Sequence, residues 1–413
     1  MDLSTPHPTP SGKLKFALIT THGDWCHWEN LPWGNEGVKY LIDRYLQAGI
    51  PRLCWRCTDG GTTHYWSKLR DPFHRLETDN CQAMVFMNED LSRYSRTDYR
   101  TFDSFAAAVE LGHQAGLEVY AWCQVAGEDD GFGYRSRRVK EHPEFCTVGR
   151  DGKRFAGKLG WAYPENHEYL IGLLKEVLAY KPDGVILDFL KNEGDFRDQL
   201  CDDADGRVFY GYEPPAVEEF RRKTGRDPFQ IPNRDPEWVQ HRASYVTAFV
   251  RKARAMQKQV APAVRWIAQT SYAIPRSITH WVLMGRDEYR RGGPYWKVGN
   301  RVPAHEGLAG SLQDLAAWAQ AEAFDAIYPM NPSAKDPAAL RKTLKTYQDL
   351  IRGSAMRIEA GTYVWGATAQ DVQELAAAAV ESGAQEIYLV ESQAFEGSKL
   401  WPQVRKIVRE FGG

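Results

Sequence analysis

Asp188 closes the apolar run Val185, Ile186 and Leu187 within the stretch KPDGVILDFLKNEGDF, residues 181–196. Pro182, Asp183 and Gly184 ahead of it are breakers, so the run suits a short strand buried on both faces. An acid at the tip of such a strand is costly to desolvate unless it is paired or faces a cleft, which fits acid–base or nucleophilic chemistry. Helix capping or a structural ion pair is the alternative. Acid–base chemistry of this kind calls for a second carboxyl group facing the same cleft. Glu391 ends a later apolar run and is the favoured partner because a strand fixes it; Glu193 follows, and Asp195 and Glu128 qualify by position. An ion pair with a loop arginine such as Arg137 or Arg286 is the structural alternative for Glu391.

Further polar groups fall at the ends of other apolar runs: His22, Asp24, Asp59, Gln124, Gln269 and Asn331, with Trp365 beside them. Gln269 and Asn331 are uncharged and suit the orientation of hydroxyls. Lys191 suits holding Asp188 ionised or binding an acidic sugar. Of fourteen tryptophans, ten, including Trp55 and Trp122, fall near strand ends or in the loops after them. Indole rings beside carboxylates and amides suit sugars, whose C–H faces lie on π surfaces; about half of these rings are expected merely to pack the loops together. Glu359, deeper in its strand, is expected to pair with Arg265.

Metal chemistry has weaker support. Cys54 and Cys57 form a C-x-x-C, but on a strand residues three apart point to opposite faces and do not share an ion easily. His22 and Asp24, taken as one face of a strand end, fit either a metal or substrate hydroxyls, and hydroxyls are preferred. No metal and no cofactor are expected.

The elements that position these residues form a repeating unit. LKFALITT reads as a strand, a helix striped by Val38, Leu41, Ile42 and Tyr45 stops at Gly49, and a second strand spans residues 50–57. LEVYAWCQVAG, the run into Asp188, VRWIAQTSY, DAIYPMNP, RIEAGTYVW and EIYLVESQAF follow, each after a helical stripe. Eight strand–helix units at spacings of 40 to 60 residues are what a single (β/α)8 barrel over residues 1–413 requires. Residues 1–13 read as a disordered tail and 191–237 as a rim insertion after strand 4. Long βα loops and short Gly-marked αβ turns place the chemistry at the C-terminal mouth. An open doubly wound sheet is disfavoured, since THGDWCHWEN after the first strand has no Gly-rich phosphate fingerprint.

Composition sets the outer limits. At 413 residues, 43% hydrophobic and 26% charged, the chain can bury a large core. A formal net charge of −2 with dispersed Lys and Arg gives no field for nucleic acid or an anionic membrane. No apolar run approaches the roughly 18 residues of a membrane span. Seven scattered cysteines argue against a disulfide framework and for a reducing compartment, hence a cytoplasmic protein, or a periplasmic or secreted one if a leader has been removed.

HPEF, the DG at Asp151 and Gly152, WAYPEN from Trp161, PDGVILDF, WVQHR (Trp238 to Arg242) and Pro329–Met330 together resemble the glycosyl hydrolase-like TIM barrels related to glycoside hydrolase family 10, over residues 100 to 395. The resemblance implies a glycosidase barrel with Asp188 as its strand-4 acid and, with less force, Lys191 in place of the family's Arg. Ile186, Asn192 and Glu193 depart from the family's His, Tyr and Pro, which leaves the substrate open. The expected function is hydrolysis of a glycosidic bond in a small-molecule or oligosaccharide substrate. Two alternatives stand beside it: a non-catalytic glycan-binding barrel, and a lyase or isomerase acting on an acidic sugar.

Overall fold

The strands alternate between two environments, and that alternation closes the sheet. The computed structural model describes residues 13–74, 97–128, 136–188, 190, 210–233, 235–271, 312–331 and 334–412, without the side chains of 27, 28, 155, 156, 271 and 331. Eight parallel strands carry the fold: β1 (Lys15–Thr20), β2 (Arg52–Asp59), β3 (Glu118–Gln124), β4 (Gly184–Asp188), β5 (Arg265–Ser271), β6 (Ala326–Asn331), β7 (Arg357–Ile358 and Ala360–Tyr363, interrupted at Glu359) and β8 (Glu386–Val390). They pair in the order β1, β8, β7, β6, β5, β4, β3, β2, and β2 pairs back to β1, so the sheet is a closed (β/α)8 barrel. Leu14 N donates to Phe411 O over 2.8 Å at the face opposite the mouth.

Alternate residues on each strand point outward to the helices and inward to the barrel. On β2, Leu53, Trp55 and Cys57 join the large outer core, whereas Cys54 belongs to the inner one. The inner core is aromatic at its centre: Tyr328 and Tyr388 stack with centroids 4.4 Å apart, and Tyr120 and Trp122 fill the opposite side. Two glycines make room for these rings. A Cβ on Gly184 would lie 2.4 Å from the Tyr120 ring, and one on Gly361 would lie 2.4 Å from the Tyr328 ring.

Below this layer the barrel is closed by charge. Arg52 reaches Glu118 at 2.7 Å and Glu386 at 2.9 Å; Arg265 also binds Glu386, and Glu359 lies 2.7 Å from Arg357 and 3.9 Å from Arg265. The expected Glu359–Arg265 pairing is therefore present, shared with Arg357. Helix ends follow the glycine signals: the helix Asn35–Ala48 stops at Gly49, which is left-handed at φ 73°.

The chain between β3 and the helix Pro164–Ala179 forms an antiparallel hairpin, Cys146–Val148 with Arg154–Leu159. The described part of the rim insertion packs a separate small core of Tyr212, Ala216, Val217 and Phe220 against Trp238 and Ala162. Residues 1–12 of the expected tail, Lys191, Glu193, Asp195, Trp281, Arg286 and Trp296 lie outside the described residues.

Candidate active site at the C-terminal mouth

Counting inward positions upward from the charged layer brings each strand to its tip. On β3 the inward sequence is Tyr120, Trp122, Gln124; on β4 it ends at Asp188, which is in register with Gln124. Asp188 is only 4% exposed, and its main-chain carbonyl accepts from Val125 N over 2.9 Å. Gln124 uses its Oε1 to accept from Gly60 N at 3.1 Å, tying the loop after β2 to the tip of β3. Gln269 accepts from the Tyr328 hydroxyl at 2.7 Å. Both amides are thus oriented by their neighbours.

Glu391 follows the last residue of β8 and takes φ 76°, a left-handed conformation that costs a non-glycine residue about 1–3 kcal/mol and collects at functional sites. A buried network holds this turn. Ser392 N donates to Ile19 O over 3.0 Å, and Ser392 Oγ bonds Thr20 Oγ1 at 2.8 Å and accepts from Trp25 Nε1 at 2.9 Å. Gln393 Nε2 then donates to Glu391 Oε2 at 2.5 Å and to Asp24 Oδ2 at 3.4 Å. Burial raises the Glu391 pKa, and the Asp59 charge adds to this; the Arg56 charge and the Gln393 bond pull the other way.

Arg56, which the sequence reading did not single out, is a cation of the mouth. It follows Arg52 and Cys54 on the inward face of β2. Its guanidinium lies 3.0 Å from Asp59 and 4.5 Å from the centroid of the Trp122 ring, with Thr21 Oγ1 at 3.4 Å. Burial works against its charge, but the carboxylates of Asp59, Glu391, Asp24 and Asp188, in that order, outweigh burial and raise its pKa. Arg56 Nε and Trp122 Nε1 are buried without a hydrogen-bond partner among the described residues. The sequence signal was available: two arginines four apart on an otherwise apolar strand can both face inward only at the polar ends of a barrel.

Other expected site residues are placed elsewhere. His22 is fully buried in a ring cluster with Trp33, Trp55, Tyr99 and Phe102, and burial, with the nearby His64, lowers its pKa to about 3. The reason is that β1 ends at Thr20 and a helix, His22–Trp28, begins at once. At roughly 100° per residue His22 and Asp24 diverge instead of sharing a face. Trp55 points outward and donates to Ser104 Oγ at 3.1 Å, away from the mouth. Glu128 is fully buried in an ion pair with Arg70, a locking role for its loop. Trp365 packs partly buried against the outer core. Asn331 ends β6 in register with Thr362, its side chain undescribed. Arg137 donates to Lys68 O and lies 3.8 Å from Asp71, so the cation acting on Glu391 is Arg56. Cys54 and Cys57 lie on opposite faces of β2, and no group of three metal-ligating side chains occurs among the described residues.

The closed ring, with an acidic mouth over an aromatic interior, defines a TIM barrel of glycoside hydrolase-like build. It is similar to the catalytic domain of β-amylase from Paenibacillus polymyxa, with a TM-score of 0.58 at 12% identity, covering 96% of this chain and 99% of that one. It is also similar to the β-galactosidase from the psychrophilic Marinomonas ef1, with a TM-score of 0.55 at 11% identity, covering 96% of this chain and 59% of that one. At such identities the likeness is one of fold. No curated protein matches the sequence.

The chain belongs to the glycosyl hydrolase-like 10 family, whose pattern matches residues 82–330. That span includes Trp122, Gln124, Asp188 and Gln269 but neither Arg56 nor Glu391. Within it, the WVQHR motif anchors the rim: Trp238 is buried on Phe220, and Arg242 donates to Tyr210 O at 2.8 Å and Asn233 O at 2.9 Å.

Proposed function

We propose that the protein hydrolyses a glycosidic bond, with Glu391 as general acid and Asp188 as the carboxylate that acts on the anomeric centre. The observation that carries this is the placement of two buried carboxyl groups at the tips of β4 and β8, four strands apart in a ring of eight and so on opposite walls of the mouth. Glu391 is the one whose burial favours the protonated form, as an acid needs. In the reaction its proton passes to the glycosidic oxygen as the bond to the anomeric carbon breaks. Asp188, ionised, either bonds to that carbon or takes a proton from the attacking water. Gln124 and Gln269 offer two amides beside the acids.

A panel of aryl glycosides and oligosaccharides, assayed for release of phenol and of reducing ends, tests the reading. Glu391→Gln should impair substrates with poor leaving groups far more than activated aryl glycosides, because only the former need protonation. Absence of turnover on the whole panel, with Asp188→Asn binding sugars as the parent does, would replace the enzyme by a glycan-binding barrel.

A further inference from the structure

We infer that Arg56 is the positioning residue that decides which carboxylate of the mouth carries the proton and which stays charged. The inference rests on the glycosidase reading for its kinetic consequence, though not for its electrostatic one. Four carboxylates act on one guanidinium: Asp59 on β2 itself, in contact at 3.0 Å, Asp24 from the helix after β1 and Glu391 after β8, which share the Gln393 amide, and Asp188 from the tip of β4. Among the described residues, the other groups against Arg56 carry no charge: the Trp122 ring from β3, Thr21, and His64, whose Nδ1 lies 3.1 Å from the Arg56 carbonyl and which burial keeps neutral.

One cation cannot satisfy four anions at low dielectric, so a buried carboxyl outside the direct ion pair takes up a proton. Asp59 holds the direct 3.0 Å ion pair. Glu391 instead receives an amide from Gln393 and stands in a left-handed turn. The arrangement separates roles by pairing: Asp59 occupies the cation, and Glu391, held by an amide, is left as the acid.

The Arg56 guanidinium is held on two sides, 4.5 Å from the Trp122 ring centroid and 3.0 Å from Asp59. A lysine would keep the charge without the fork, and a glutamine would keep the fork-like amide without the charge.

The test is a set of pH–rate profiles on a glycoside with a poor leaving group, whose cleavage needs the Glu391 proton, for the parent, Arg56→Lys, Arg56→Gln and Asp59→Asn. Direct carboxyl titration by 13C NMR, with Asp188→Asn and Glu391→Gln as assignments, accompanies it. Arg56→Gln should move the Glu391 titration and the alkaline limb up by about one to three pH units. Arg56→Lys should keep both near the parent. Asp59→Asn should move them down, because it removes an anion that raises Glu391 and frees the cation. If Arg56→Gln does not fold, the downward shift in Asp59→Asn decides. Titrations that coincide in all four proteins, or shifts of the same sign in Arg56→Gln and Asp59→Asn, overturn the inference. A parent without glycosidase activity would sink the functional reading alone, since the NMR titrations still report on Arg56.

Discussion

Gln393 Nε2 donates to Glu391 Oε2 over 2.5 Å, across a turn in which Glu391 itself takes φ 76°. An acid held by a neutral amide in a left-handed turn is placed by the backbone, and that backbone is in turn held by Ser392. Removing the Ser392 hydroxyl leaves Trp25 Nε1 and Thr20 with one partner fewer in a buried site. We expect Ser392→Ala to lower stability by about 1–3 kcal/mol. It should also reduce kcat more than it raises KM, since the strained geometry relaxes without removing a sugar contact. Denaturant unfolding and steady-state kinetics on one preparation check both; an unchanged kcat would show that the turn holds its shape without Ser392.

Asp188→Asn keeps shape and hydrogen bonding but removes the negative charge. If Asp188 acts on the anomeric centre, kcat should fall on the order of a thousandfold, about 4 kcal/mol by transition-state arithmetic. Sugar binding measured by calorimetry should stay near the parent value. A kcat within tenfold of the parent would remove Asp188 from the chemistry.

The ring of strands was legible because each barrel strand is short, apolar and followed by a helical stripe, and several of these stripes end at or next to glycine, as at Gly49, Gly116 and Gly383, all of positive φ. Asp188 and Glu391 were legible by the same rule, since both end apolar runs. The rule failed where strand geometry was carried past the end of the strand. His22 and Asp24 are two apart, which means one face on β1 but nearly opposite faces on the helix that replaces it. Trp55 sits on the right strand and the wrong face, since parity fixes its direction and its neighbour Arg56 takes the inward place. Arg56 was missed because a lone arginine in a strand resembles an edge residue until its partner Arg52, four residues back, sets the phase. Nothing local in the sequence could have shown the charged layer that joins Arg52 to Glu386 across 334 positions.

His22 and His64 are buried, and burial lowers the pKa of each to about 3. The folded protein therefore keeps both neutral while the unfolded chain protonates them near 6.5. Stability should be independent of these groups above pH 7 and should fall as pH drops from about 6.5 toward 3, with a slope of up to roughly 2.7 kcal/mol per pH unit for two protons. Urea unfolding at pH 7.5, 6.5 and 5.5 measures it. The same series on His64→Phe, which keeps a ring stacked on Tyr99, should show about half the slope. A flat stability between pH 6.5 and 5.5 would mean that the two imidazoles meet solvent or a partner acid.

Glu386 titrates in the opposite sense, in the charged layer at the far end of the barrel. Burial alone would raise its pKa, but the charges and hydrogen bonds of Arg52 and Arg265 win and bring it down to about 2. Since the folded value lies below the unfolded one of about 4.3, the carboxylate contributes stability that is complete above about pH 5 and lost as pH falls toward 2. The full contribution is on the order of 3 kcal/mol. Glu386→Gln should lose that dependence between pH 4.5 and 2.5. At neutral pH it should be destabilised by about 3–5 kcal/mol, because the buried Arg52 is left short of a counter-charge. Arg52 would still hold Glu118 at 2.7 Å, so a smaller loss at neutral pH would show that Glu118 takes over the compensation. A parent-like loss of stability between pH 4.5 and 2.5 in Glu386→Gln would assign the acid transition to other carboxylates.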